Sequence, residues 1–352
     1  MPKLRQLLKY SRPGVVSKAL GLLMILILTV SIPLGAGCAK NTDTTGATPV
    51  STTFPMTVTD DLGRTITLDK APERIVSLAP SNTEILFDLG LGDKVVGDTI
   101  YDDYPAEAVD KPHVGGYSDI DIEKVVSLAP DLILAEDIHK AEVIPAMERL
   151  GFKVYAVVPH NLDEITASVS TIGRLTGTSK EAKSIVADMQ KRIKAITDKT
   201  SNLTDSQKPR VLYVIWQEPL MSSGTDTPIY EMIAKAGGEN IVQDQTGFPT
   251  LSLEAVIDAD PQVVICNVDN SFTGGDAPLV FMQTEPRLQG LSAEKSGKVY
   301  GINASLTNRP VPRIIDGFEW MAAMIHPELF PQFVTKYMGP ASTYLSPATT
   351  AK

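Results

Sequence analysis

The 352-residue sequence is poor in the residue types on which most catalytic and metal chemistry depends. It holds two cysteines, Cys38 and Cys266, and four histidines, His113, His139, His160 and His326. There is no G-x-S-x-G elbow, no G-x-x-x-x-G-K-[ST] phosphate loop, no G-x-G-x-x-G fingerprint and no H-E-x-x-H pair. Aromatics are sparse at 6%, and the net charge is −10, a field that repels nucleic acid and anionic lipid. These absences leave a secreted α/β hydrolase unsupported, though it stands as the alternative of another class. His139 and His160 each follow a predicted strand, which raises a bare metal-ion site. The second half has no histidine in its matching loops, so neither metal nor cofactor is expected.

What is present begins with Lys3, Arg5, Lys9, Arg12 and Lys18, followed by an apolar run from Ala19 to Leu34 and small residues before Cys38. A basic stretch, an apolar stretch and small residues form an export signal over residues 1–37. A retained membrane anchor is the other reading, since the run is near the lower limit for spanning. The small residues favour cleavage. The segment resembles a bacterial lipobox, which makes Cys38 a lipidation site, with Leu34 one place further from the Cys than usual. Because residues 1–37 carry five bases and no acid, their removal takes the charge from −10 to −15. Residues 38–55 are small, polar and aperiodic, and read as a flexible tether; 339–352 read as a tail. Cys266, at the end of an apolar strand, reads as a buried, inert thiol.

Between tether and tail the chain repeats itself. "IEKVVSLAPDLILA" (122–135) returns as "LEAVIDADPQVVIC" (253–266), and "FKVYAV" (152–157) returns as "GKVYGI" (297–302), in the same order. Alternation on both sides of Asp61–Gly63 predicts a hairpin over 56–69. Strands are expected at 74–78, 94–97, 153–157, 210–215, 240–244 and 297–302, and helices at 81–92, 143–151 and 228–238. Ser81 or Asn82 is the expected cap of the first helix. Strands alternating with helices of about ten residues argue parallel sheets with helical crossovers. The fold class is therefore α/β, two doubly wound lobes at 56–177 and 202–338. Residues 179–199 lack Gly and Pro, and Ala182, Ile185, Val186, Met189, Ile193 and Ile196 fall on one helical stripe. A single long rigid helix, 178–201, is thus expected to join the lobes with a ligand cleft between them.

Ligands of parallel sheets bind beyond the carboxyl ends of the strands. The loops predicted there carry Tyr101, Tyr117, Trp216 and Phe248, aromatics suited to a flat, partly apolar ligand. Arg309 offers a rigid fork to an amide, carboxylate or phosphate. Glu136 and Asn267 each follow a predicted strand, where a polar group can orient a ligand or simply be solvated. Tyr104 and Arg313 are read as structural.

"APERIVSLAPSNTEILFDLGLGDKVVG", "YDDYP", "KPHVGGYSDIDIEKVVSLAPDLILA" and "RPVPRIIDGFEWMAAMIHPELFP" resemble the ABC-importer substrate-binding proteins for cobalamin and ferric siderophores, with the cobalamin-binding branch nearest. The resemblance covers roughly residues 56–335. It implies that Tyr101, Tyr117 and Phe248 face the ligand and that Arg309 is a cleft arginine. Glu136 departs from it, an aromatic being expected there. Asp121 and Ser252 are suitable N-caps, so Glu123 and Glu254 have a purely helical explanation in the first turn. The resemblance adds that such glutamates, one per lobe, pair with arginines of the permease. It implies a monomeric receptor, lipid-anchored at the outer face of the cytoplasmic membrane, with no catalytic activity. The ligand is then a corrinoid, with a ferric siderophore or haem as the alternative, delivered to an ABC permease dimer.

Overall fold

The computed structural model describes residues 53–268 and 275–339; the export signal, Cys38, most of the tether and the tail from residue 340 lie outside the described residues. The expected hairpin is present. β1 (Met56–Thr59) pairs antiparallel with β2 (Thr65–Leu68), and Asp60 closes the turn by accepting from the backbone N–H of Leu62 and Arg64 at 3.1 and 2.8 Å.

The first lobe follows with β3 (Ile75–Ser77), α1 (Pro80–Asp88), β4 (Val95–Gly97), α2 (Ile122–Ser127), β5 (Leu132–Ala135), α3 (Val143–Arg149) and β6 (Val154–Ala156). Then come α4 (Leu162–Thr176) and α5 (Ser179–Thr200). The second lobe opens with β7 (Arg210–Val214), the short hairpin β8 (Trp216–Gln217) and β9 (Leu220–Met221), α6 (Pro228–Lys235) and β10 (Glu239–Asn240). It continues with α7 (Leu253–Ala259), β11 (Val263–Val268), α8 (Ala277–Thr284), α9 (Ser292–Lys295), β12 (Val299–Asn303) and α10 (Ile314–Ile325). The two parallel sheets run β4-β3-β5-β6 and β10-β7-β11-β12, one permutation used twice. The repeated sequence is therefore a repeated fold.

The likeness extends to atoms. Ala129 (φ 46) and Asp260 (φ 41) end α2 and α7 in the left-handed region, each just before a proline. Side chains rarely adopt that conformation. In each lobe the arginine at the head of the first central strand satisfies the carbonyls left open there. Arg74 Nε donates to Leu128 and Ala129 at 3.0 and 3.2 Å; Arg210 Nε donates to Ala259 and Asp260 at 2.8 and 3.1 Å.

Two expectations change and one helix is new. The first helix starts at Pro80, one residue early, with Ala79 as its cap and no side-chain cap bond, so Ser81 and Asn82 are free to reach β5 instead. The strand expected at 240–244 is only Glu239–Asn240. Helix α4, fifteen residues long, precedes the connector; its Thr, Ser and Gly are weak helix formers, yet Leu162, Ile165, Val169 and Ile172 are buried at helical spacing.

Alternation divides the strands between cores. Val76, Ile133 and Ala135 face one first-lobe cluster, and Leu212, Val264 and Cys266 a second-lobe cluster. Ile75, Leu132, Leu134, Val211, Tyr213 and Ile265 turn instead to a shared core. Helices α1, α4, α5, α6 and α10 all contribute to that core, so the described residues form one compact unit rather than two separate ones. On α5, Ala182, Met189 and Ile196 are buried, while Ile185, Val186 and Ile193 pack at its edge. Arg192 pins α5 to α10 through Asp316 and Glu319 at 2.6 and 2.7 Å. Among the described residues no helix is long and apolar enough to cross a membrane.

Lobes sharing a dry core and a stiff spacer cannot swing widely. Small-angle scattering with and without saturating ligand should therefore show a change in radius of gyration within about 1 Å. Compaction of several ångströms would contradict the shared core.

Candidate functional site

A cavity of about 490 Å³ opens where the carboxyl ends of both sheets face each other. Its first-lobe wall comes from the residues just after β3, β4 and β5: Pro80 and Ser81, Tyr101, Tyr117 and Glu136. The second-lobe wall comes from Trp216, Met221, Ser305, Asn308 and Arg309, on the residues after β7 and β12. A neighbouring chamber of about 360 Å³ shares Tyr117, Glu136, Asn308 and Pro310 with the first and adds Asp137, His160, Asp226 and Phe248. Both volumes lie in the range of small-molecule sites.

Glu136 is the organising group of the first wall. Its Oε1 accepts from Ser81 Oγ and its Oε2 from Tyr117 Oη. Burial is the first cause that raises its carboxyl above the ordinary range, against the pull of those two hydroxyls. His139 supports the pair from below. Its Nδ1 accepts from the Glu136 N–H at 3.0 Å, which leaves the proton on Nε2 to donate to the Tyr117 carbonyl at 2.9 Å. Burial holds this imidazole below its usual value, in its neutral form. Both nitrogens are committed, so His139 has none to offer a metal. His160 lines the second chamber with its own N–H donating to Glu164 at 2.7 Å.

The second wall presents Trp216, whose Nε1 donates to the Glu218 carbonyl at 2.7 Å, with Met221 paired beside it across the hairpin. Arg309 lines the cavity with its charge already matched: Nη1 meets Glu84 at 2.7 Å and Asp103 at 2.6 Å. Arg313 makes a second, two-pronged contact with Glu84 and lies 4.3 Å from the centre of the Tyr104 ring.

The structure thus brings together Tyr101, Tyr117, Trp216, Glu136 and Arg309. Phe248 is exposed and lines only the neighbouring chamber. Asn267 is a correction. β11 runs on to Val268, so Asn267 lies inside the strand, fully buried, and its Oδ1 accepts from Tyr213 Oη at 2.5 Å. It belongs to the core beneath the cleft. Cys266 is fully buried and its thiol is pushed up by burial. Glu123 and Glu254 are exposed in the first turns of α2 and α7, behind the side-chain caps Asp121 and Ser252. Glu84 was missed by sequence reasoning. Its signal was indirect: Arg309 and Arg313 lie four apart in "NRPVPRII", and the acids that follow them, Asp316 and Glu319, pair with Arg192 instead.

A family model described as periplasmic binding protein matches residues 75–306. An ABC transporter substrate-binding lipoprotein of Bacillus subtilis is 31% identical over 318 residues, covering 89% of this chain and 99% of its own. A cobalamin-binding protein of Halobacterium salinarum is 31% identical over 310 residues, covering 86% of this chain and 83% of its own. The crystal structure of the periplasmic vitamin B12 binding protein of Vibrio cholerae is similar at 28% identity and a TM-score of 0.63, covering 73% of this chain and 97% of its own.

The loop that carries Tyr101 and Tyr117 is pinned at its root by Asp98. Its N–H donates to Pro112 at 3.1 Å, its carbonyl accepts from Val114 at 2.6 Å, and Oδ1 meets His113 Nδ1 at 2.8 Å. Burial first, and the nearby Asp102 second, push the Asp98 carboxyl up to about 7 against the pull of His113. A carboxyl raised by folding contributes stability that is complete below its ordinary value of 3.8 and is lost as pH rises through about 7. Asp88 and Asp102 shift the same way. Asp98→Asn should therefore shrink, without abolishing, the fall in melting temperature across that window, read from thermal unfolding at a series of pH values. An unchanged slope would show that Asp98 is ionised throughout.

Proposed function

Because the chain belongs to the periplasmic binding protein family, we propose that it captures a corrinoid in the cleft and delivers it to an ABC permease. At the coarser level it is a substrate-binding protein of an ABC importer in the B12, siderophore and haem class. The observation that carries the corrinoid is the make-up of the cavity. Tyr101, Tyr117 and Trp216 come from both lobes, Ile215 and Met221 extend the apolar area, and the lone arginine is already matched by carboxylates. A broad ring with an amide rim buries its faces against such aromatics and bonds its edges to Glu136 and Asn308. The named cobalamin and vitamin B12 relatives support the same ligand. Members of the family bind rather than transform their ligands, in keeping with a receptor that is not an enzyme.

The anchor is an acyl group on Cys38, at the outer face of the cytoplasmic membrane; the Bacillus subtilis relative is named a lipoprotein. The protein acts as a monomer. Glu123 and Glu254 serve as its two contacts with permease arginines, one from each copy of the repeated fold, so a two-fold permease meets matching charges on both sides.

Titrating the Trp320→Phe protein, which keeps Trp216 as its tryptophan, with cyanocobalamin should quench emission at micromolar ligand. Quenching by haem or a ferric chelate, and none by the corrinoid, would transfer the site to that ligand class. In proteoliposomes holding the cognate permease, the Glu123→Arg, Glu254→Arg double variant should lose uptake while its corrinoid affinity stays unchanged. Undiminished uptake would remove these glutamates from the docking contact.

A further inference from the structure

Resting on the corrinoid reading, we infer that Glu136 makes the cleft a filter against negative charge. A ligand is held only when the edge it turns to Glu136 carries neutral hydrogen-bond donors, such as primary carboxamides.

The charges around the cleft carry this. In the main cavity the charged lining groups are Glu136 and Arg309, and Arg309 is matched by both Glu84 and Asp103. The neighbouring chamber adds Asp137 and Asp226, with His160 as its basic side chain and neither Lys nor Arg in its lining. The titratable groups left without a counter-charge on both sides of the ridge formed by Tyr117 and Glu136 are therefore acids, His160 apart.

The hydrogen bonds point the same way. Ser81 and Tyr117 both spend their hydroxyl protons on Glu136, one on each carboxylate oxygen. Neither hydroxyl then donates to a ligand. A carboxylate oxygen has room for two donors, so each oxygen of Glu136 keeps a site for one more. The ridge is a cluster of acceptors asking for N–H or O–H groups. A carboxamide supplies them. A carboxylate brings no proton for these acceptors and sets its charge beside the acid of Glu136 in a partly dry site whose arginine is already paired with Glu84 and Asp103.

Cyanocobalamin derivatives in which one side-chain carboxamide is hydrolysed to a carboxylate test this without changing the protein. At least one isomer should bind the wild type about tenfold or more weakly than the parent. For that isomer the gap to the parent, read as the ratio of the two affinities measured in the same variant, should shrink to about threefold or less in Glu136→Gln, which keeps the shape and removes the charge, whatever that variant's affinity for the parent. Isomers that all bind the wild type as tightly as the parent would overturn the filter, whatever the folding of the variant. So would a gap that Glu136→Gln leaves intact. Binding of haem or ferric citrate, both anionic, with no corrinoid bound, would overturn the corrinoid reading and the filter together. Corrinoid binding indifferent to the added carboxylate would overturn the filter alone.

Discussion

Glu84 lies in the first turns of α1 with 1% of its surface exposed, and the guanidiniums that bond its carboxylate, those of Arg309 and Arg313, both come from the other lobe. Taking a carboxylate out of water costs several kcal/mol, which only near-ideal pairing offsets. Here two arginines supply three N–H donors, so the ion is held, but only while the lobes stay together. Drawing them apart strands a buried charge, at a cost of about 3–5 kcal/mol for the loss of such a partner. The muted charge of Arg309 depends on this contact, which adds to what the shared core and the connector already do to keep the lobes from swinging apart. The shared apolar core acts in parallel, since α4 and α5 bury their stripes in the one core that also takes residues of both sheets.

The duplicated fold explains features that look unrelated when taken singly. Two left-handed residues before prolines, two arginines capping the same helix ends and two exposed glutamates after side-chain caps are one design used twice. Where the copies differ, the difference falls at the cleft. β5 is followed at once by Glu136, whereas β11 runs on and takes Asn267 into the core. The second copy also inserts the Trp216 hairpin, for which the first has no counterpart among the described residues. The halves thus share a scaffold and diverge at the ligand wall.

Much of this was legible from the residues. Alternation and helical stripes identified both sheets, the connector and its buried face, because those patterns arise from burial and burial dominates folding. The loops after β3, β4, β5, β7 and β12 were found by topology alone, which brought Tyr101, Tyr117, Glu136, Trp216 and Arg309 to one cavity. What stayed hidden depends on side-chain direction. No spacing rule says that Ser81 turns to Glu136 rather than to its own helix, or that Arg309 and Arg313 share an acid more than two hundred residues away. Asn267 was misplaced for a simpler reason: strand ends are uncertain by a residue or two, and such a shift carries a polar group from a rim into a core.

Cys266 sits in the middle of this sheet with no exposed surface. An unpaired sulfur in a folded domain invites oxidation and mixed dimers unless that atom is unreachable. Sealed inside β11, it is out of range of peroxide, thiols and soft metal ions alike. A cysteine introduced at the mouth of the cleft would consequently be the sole reactive handle among the described residues, open to a dye or spin label without touching Cys266.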